Sequence, residues 1–139
     1  MLWVIQTFVL TLATIVGAAV LPPLQPCPSS PNCVSSQATG SHFIEAFRFT
    51  SDPSEAFERL IDILEKRSDS QIISADTNTV RVEFKTLLGF VDDGIFVMDS
   101  ESRLIHIRSA SRSGYWDLGK NRRRLEAIRK EFQNEYHSN

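Results

Sequence analysis

The chain has 139 residues, of which 42% are hydrophobic, and its first 21 residues carry no charged side chain. The remaining residues, roughly 110, suit one domain with a single core, and the apolar content excludes wholesale disorder. The formal net charge of −2 means that bulk charge indicates neither nucleic acid nor an anionic membrane as a partner. Local charge is more informative, because six basic residues and one acidic residue lie between Lys120 and Lys130.

Residues 1–21 are predicted to be a signal peptide or a membrane anchor. An apolar run over residues 8–16 precedes the small residues 17–19, which is the order of a signal-peptide core and its cleavage site. If it is not cleaved, the segment is long enough to cross a bilayer as one helix, and residues 2–21 would mediate membrane association. We therefore expect a protein exported to a periplasm or lumen, or one anchored on the outer face of a membrane.

Residues 22–41 are rich in proline and serine and are predicted to form an irregular linker. The segment contains the only two cysteines of the chain, Cys27 and Cys33. In an oxidising compartment this spacing favours a disulfide that closes a small loop. Free thiols are the main alternative, whereas a metal or redox site would need more ligands nearby.

Residues 42–139 are predicted to form a single α+β domain. The first helix has a strong start signal, since Asp52 can cap it and Pro53 suits its first position. Short connections between successive strands imply an antiparallel sheet of about five strands, with two helices packed on one face, in the order β-α-β-β-β-β-α. The predicted strands cover residues 42–50, 71–75, 80–85, 90–98 and 103–112, and the helices cover residues 53–67 and 117–136.

Alternation along the strands indicates which side chains face the helices. In the third predicted strand, Val80, Val82 and Phe84 share one face, and in the fifth Ile105, Ile107, Ser109 and Ser111 do. The alternation breaks at residues 92–94, where Asp-Asp-Gly predicts a β-bulge. On the last helix the predicted apolar stripe consists of Leu118, Leu125, Ile128, Phe132 and Tyr136.

Three motifs carry a resemblance to a known family. They are Cys-Pro-Ser-Ser-Pro-Asn-Cys-Val-Ser-Ser over residues 27–36, Gly-Phe-Val-Asp-Asp over 89–93, and Arg-Ser-Ala-Ser-Arg-Ser-Gly-Tyr-Trp-Asp-Leu-Gly-Lys-Asn-Arg over 108–122. Together they resemble the domain-of-unknown-function family numbered 1499. The resemblance implies a small bacterial or plastid protein, often with an export signal or membrane segment, and it implies no activity and no catalytic residues.

The first turn of the last helix contains the strongest indication of a site. Asn121 and Arg122 fall on or beside the apolar stripe, so Arg122 is predicted to point toward the sheet, where a guanidinium needs an anion. That anion is either internal, in an Asp–Arg network, or a ligand such as a phosphate, a carboxylate or a lipid headgroup. The candidate ligand-binding residues are Asp92, Asp93, Arg108, Arg112, Asp117, Asn121, Arg122 and Arg124.

The leading hypothesis is a non-enzymatic module that binds an anionic ligand, a lipid headgroup or a protein partner in an envelope or membrane. One alternative is a hydrolase-like enzyme that uses the Asp92/Asp93 and Arg108/Arg112 cluster. Another is a structural component of an envelope or photosynthetic membrane complex, which predicts a large exposed apolar patch. Neither a cofactor nor a nucleic-acid partner is indicated, and Asp92, Asp93 and His106 are a poor metal site because adjacent strand residues face opposite ways. Tyr115 and Trp116 are expected to pack beneath the edge of the sheet.

Overall fold

The computed structural model describes residues 24–134, so the predicted signal or anchor at residues 1–21 and Tyr136 lie outside the described residues. Six strands and two helices follow one another in the order β1-β2-α1-β3-β4-β5-β6-α2, with a 3-10 turn at Gly40–His42 between the first two strands. Within the described range, no helix is both long and apolar enough to span a membrane. The strands are Cys33–Ser35, Phe47–Arg48, Ser70–Ala75, Thr79–Lys85, Val91–Asp99 and Leu104–Ser111, and the helices are Pro53–Lys66 and Lys120–Asn134.

The strands form one antiparallel sheet, which confirms the predicted fold class and element order. The path through the sheet is β3-β4-β5-β6-β1, and β2 also pairs with β6, so β1 and β2 occupy successive stretches of the same edge. The first predicted strand, residues 42–50, shrinks to Phe47–Arg48. The 3-10 turn includes His42, and Phe43 forms only an isolated bridge with Ser35. Strand β1 lies inside the segment that was expected to be irregular, which raises the strand count from about five to six.

Both helices cover the same face of the sheet, and one hydrophobic core fills the space between the two layers. Helix α1 begins as predicted, because the Asp52 side chain accepts a hydrogen bond from the Ser54 backbone N–H at 2.8 Å and Pro53 follows directly. The alternation in β4 and β6 is also confirmed. The strands supply Val80, Val82, Phe84, Phe96, Met98, Ile105 and Ile107 to the core, and the helices supply Ala56, Phe57, Leu60, Ile63, Leu64, Leu125, Ile128 and Phe132.

The bulge predicted at residues 92–94 is wrong. Strand β5 pairs without interruption with both neighbours through this stretch, and the irregular register lies in β3, between Ile72 and Ser74. The glycine serves packing instead, since a Cβ atom on Gly94 would lie 2.6 Å from the Phe84 ring and 2.7 Å from a Val82 methyl group. Gly94 therefore makes room for the core side chains of β4 while β5 stays regular.

Helix α2 starts three residues later than predicted, at Lys120. Leu118, expected on its apolar stripe, precedes the helix and is 74% exposed, with a positive φ of 53°. The buried stripe is instead Leu125, Ile128 and Phe132, joined by two polar residues of the first turn, Asn121 and Arg124.

Candidate functional site

The eight candidate residues do not form one cluster, because the sheet separates them. Asp92 faces the helices and is 1% exposed, whereas Asp93, the next residue of β5, points to the open face of the sheet. Arg108 and Arg112 lie on the open face with Asp93. Asp117, Asn121 and Arg124 lie on the helix side with Asp92, and Arg122 belongs to neither group.

On the helix side, Arg124 and Asp92 neutralise each other. The distance from Arg124 Nη2 to Asp92 Oδ2 is 2.8 Å, and the two side chains are 5% and 2% exposed. Asp69 adds a second carboxylate 3.5 Å from Arg124 Nε, and the guanidinium lies over the Phe84 ring, 4.5 Å from its centroid. Arg124 is therefore paired inside the fold with Asp92 and Asp69, although it also lines a depression beside Lys120 and Arg123.

Asn121 holds the polar end of the core together. Its side-chain amide donates to Asn32 O at 3.2 Å and to Ser111 Oγ at 3.0 Å, while its Oδ1 accepts from Ser109 Oγ at 2.5 Å. Asn121 is 0% exposed, so these bonds replace water entirely and connect β1, β6 and α2. The predicted direction of Asn121, toward the sheet, agrees with its burial, but Asn32 and the two serines could be assigned to it only from the pairing of distant strands.

Asp117 caps the start of α2. Its carboxylate accepts from the backbone N–H groups of Gly119 and Asn121, at 2.8 and 2.9 Å, and from the Asn121 amide at 2.8 Å. Burial alone would raise the pKa of Asp117, but these hydrogen bonds outweigh it and hold the pKa below its ordinary value. The backbone donors that a ligand anion might have used are therefore already occupied by this carboxylate.

The Arg122 guanidinium is satisfied by backbone carbonyl groups rather than by an anion. The half-buried guanidinium donates to Phe43 O and Ser41 O, both at 2.8 Å. Arg129, about two turns further along the same face of α2, donates in the same way to Ala46 O at 2.9 Å. The two arginines pin the connection between β1 and β2 against the helix, so the predicted anion partner of Arg122 is replaced by carbonyl oxygens.

The open face of the sheet contains a depression of about 580 Å³. Residues 24 and 25 line this face, and the disulfide between Cys27 and Cys33, predicted from their spacing, ties the preceding segment to β1. The apolar lining consists of Leu24, Ile73, Ile95 and Val97. The charged lining consists of Arg81, Glu83, Asp93, Arg108 and Arg112, which is three guanidinium groups against two carboxylates.

Arg112 is held at the rim of this depression by two carboxylates. It binds Asp93 through two parallel hydrogen bonds, Nε to Oδ2 at 2.9 Å and Nη2 to Oδ1 at 2.7 Å, and it also contacts Glu83. The hydrogen bonds to Asp93, and then those to Glu83, raise the pKa of Arg112 above its ordinary value. Both carboxylates of the depression are thereby committed to one arginine.

Arg108 is left short of acceptors. Its Nε is buried and has no hydrogen-bond partner within residues 24–134, and its Nη2 makes one long contact of 3.4 Å with Pro26 O. Burial lowers the pKa of Arg108, and the nearby Asp93 offsets only part of that effect. Arg81, two strands away across Ile95, is exposed and forms no ion pair with any described residue. The depression is therefore lined by two guanidinium groups, those of Arg108 and Arg81, that form no ion pair within the described residues.

Tyr115 and Trp116 do not pack beneath the sheet, contrary to expectation. They are 68% and 70% exposed, because Gly114 O is held by the Asn32 amide at 2.6 Å and the loop then turns away from the core.

No group of three or more potential metal ligands (His, Cys, Asp or Glu side chains) occurs in the part of the chain that the structure describes.

Comparison with known proteins identifies a family but no characterised relative. Residues 23–132 match the family described as "Protein of unknown function (DUF1499)", which is the family that the three sequence motifs indicated. No protein of curated function and no solved structure matches the chain significantly. The family match covers the folded domain but names no chemistry for the site.

Proposed function

The chain belongs to the DUF1499 family, whose description names no activity, and we propose that it is a non-enzymatic module that binds an amphipathic anion on the open face of its sheet. The observation that carries this proposal is the buried Nε of Arg108, which has no acceptor among the described residues although it belongs to a charged group beside an open depression. A partly desolvated cation without a partner is unfavourable, and a bound anion would remove that penalty.

The lining of the depression indicates the class of ligand. Arg108 and Arg81 provide charge for one carboxylate or phosphate group, while Ile73, Ile95 and Val97 provide an apolar surface beside them. A volume of about 580 Å³ falls in the usual range for small-molecule sites. An anionic head with a short hydrocarbon or ring body would satisfy both halves of the lining, whereas inorganic phosphate would leave the apolar half in contact with water.

The hydrolase-like alternative has less support from the same geometry. It required Asp92 and Asp93 to act together, but these carboxylates lie on opposite faces of β5, and Asp92 is buried against Arg124. Asp93 is already bound by Arg112. The open face thus offers a guanidinium without an acceptor but no pair of carboxylates converging on empty space.

Calorimetric titration of the full chain with octyl phosphate, octanol and inorganic phosphate tests the proposal. We expect octyl phosphate to bind at least about tenfold more tightly than octanol, because a charge-assisted hydrogen bond to Arg108 contributes about 1.5–3 kcal/mol. Inorganic phosphate should bind more weakly than octyl phosphate because it buries no apolar surface.

Arg108→Met is the decisive variant, and Arg48→Gln is its matched control. Arg108→Met should lose the preference for octyl phosphate without a fall in Tm, since it removes a charge that lacks acceptors. Arg48 is exposed on β2, at the opposite end of β6 from Arg108, so Arg48→Gln should bind as the parent does. Any binding of ligand by the apolar N-terminus would be the same in the parent and in both variants, so it cancels in the comparison. An Arg108→Met protein that unfolds more readily and still prefers octyl phosphate would show that Arg108 is only structural.

A further inference from the structure

One end of the sheet carries most of the exposed large hydrophobic side chains among the described residues. Eight large hydrophobic side chains are exposed within residues 24–134, and six of them lie in the β4–β5 turn and in the loop between β6 and α2. Leu87 is 107% exposed, Leu88 84% and Trp116 70%. We call this surface the loop tip, and it consists of Leu87, Leu88, Phe90, Tyr115, Trp116 and Leu118.

The two loops of the loop tip lie side by side. Their bases are joined where the Arg112 N–H donates to Val91 O at 3.1 Å, directly after the last paired residues of β6. Leu87 and Leu88 border a second depression, of about 700 Å³, together with Lys120 and Arg123 from the start of α2. The leucines of one loop and the helix start that follows the other loop therefore share one surface.

The exposure of these side chains is built into the backbone. The β4–β5 turn is closed by hydrogen bonds from Thr86 N to Phe90 O and from Gly89 N to Thr86 O, both at 2.9 Å. Leu118 adopts a φ of 53°, a left-handed conformation that is unfavourable for a branched residue, and its side chain remains 74% exposed. Unfavourable backbone that displays an apolar side chain to solvent is typical of a binding surface.

Basic side chains flank the loop tip. Lys85, Lys120 and Arg123 surround the leucines, and within the described chain none of the three takes part in an ion pair. Two carboxylates lie near these groups. Asp117 is bound by the start of α2, and Asp69, which lines the same depression as the leucines, pairs with Arg67 at 2.9 Å. The loop tip is therefore an apolar apex with a cationic collar, although the whole chain has a net charge of −2.

We infer that the loop tip docks onto the surface of an anionic lipid bilayer. Leu87 and Leu88 enter the boundary of the acyl chains, and Trp116 lies at headgroup level, where its ring has apolar and polar surroundings. The basic collar contacts lipid phosphates, whose attraction adds to the apolar burial. Two protruding loops with leucines at their apex suit a deformable lipid interface, and the cationic collar selects an anionic one. This surface is separate from the open-face depression and does not depend on its ligand.

Depth-dependent quenching on the full chain tests the inference. Because both native cysteines form the disulfide, Leu88→Cys introduces a single thiol for an environment-sensitive fluorophore. The chain is mixed with vesicles that contain phosphatidylglycerol and a lipid-borne quencher. Ser100→Cys, exposed in the β5–β6 turn at the opposite end of the sheet, is the matched control, and it reports any approach caused by the N-terminal segment alone. We expect the label at position 88 to shift to shorter wavelength and to be quenched, and the label at 100 to stay unchanged.

Charge variants complete the test. Lys120→Gln and Arg123→Gln should each weaken docking about fivefold. Replacing the anionic lipid with phosphatidylcholine should weaken docking of the parent chain by more than either variant does. The inference is overturned if the label at 88 is quenched no more than the label at 100, which is also the result expected if this end binds a protein instead. Equal quenching in anionic and phosphatidylcholine vesicles would remove the role assigned to the basic collar.

Discussion

Arg124 of α2 and Asp92 of β5 form an ion pair whose Nη2–Oδ2 distance is 2.8 Å and whose side chains are almost fully buried. Immediately beside it along β5, Asp93 forms its ion pair with Arg112 on the opposite face, where the two side chains are 50% and 47% exposed. The two adjacent aspartates thus form chemically similar ion pairs, one buried away from water and one in contact with it. The burial of each pair, rather than its hydrogen-bond geometry, should decide its contribution to stability.

We expect Asp92→Ala to lower the free energy of unfolding by about 3–5 kcal/mol, because it leaves Arg124 buried without its main partner. Asp93→Ala should cost less than about 1 kcal/mol, since water can solvate Arg112. Urea denaturation of both variants measures the difference. Asp92→Leu combined with Arg124→Met should recover much of the loss, and equal losses for Asp92→Ala and Asp93→Ala would contradict the structural distinction.

The disulfide between Cys27 and Cys33 should stabilise the fold and also shape the open-face depression. Replacing both cysteines with serine should cost about 2 kcal/mol, the value expected for so short a loop. Because Pro26, which contacts Arg108, precedes the bridge directly, octyl phosphate affinity should fall as well. Denaturation and titration with and without reductant measure both effects, and the reductant should change the parent chain but not the double serine variant. An unchanged affinity would show that the depression does not depend on the bridge.

Acidification should destabilise the protein through Asp117. Its pKa in the folded state is lowered, so its contribution is complete above the ordinary pKa of about 3.9 and is lost as pH falls through the folded value. The Asp117→Asn variant can still cap the helix, so we expect a modest loss at pH 7 and a shallower decline of stability below about pH 4. Thermal unfolding between neutral pH and pH 2 measures this slope. An Asn variant with the same acid slope as the parent would assign the decline to other carboxylates, such as Asp99, whose pKa is also lowered, mainly by its hydrogen bond from Ser102.

Local patterns in the sequence determined the elements and their faces. The alternation in β4 and β6 assigned Val82 and Ile107 to the core because strand side chains alternate whatever the strand pairs with. The Asp52–Pro53 start of α1 followed from local hydrogen bonding and proline geometry. The family motifs also identified the chain correctly.

The partners of the polar residues were decided by the tertiary structure alone. Strand β1 exists only because it pairs with β6, some 75 residues further along the chain, and no local pattern reports such a pairing. The same holds for Arg122, which the helix directs toward backbone carbonyls, and for Arg108, which β6 directs toward a depression that lacks an acceptor for it. A one-residue shift along a strand exchanges the two faces of a sheet. The sequence could therefore identify these charged residues as candidates. Only the packing of the two layers determined which of them have acceptors inside the fold and which do not.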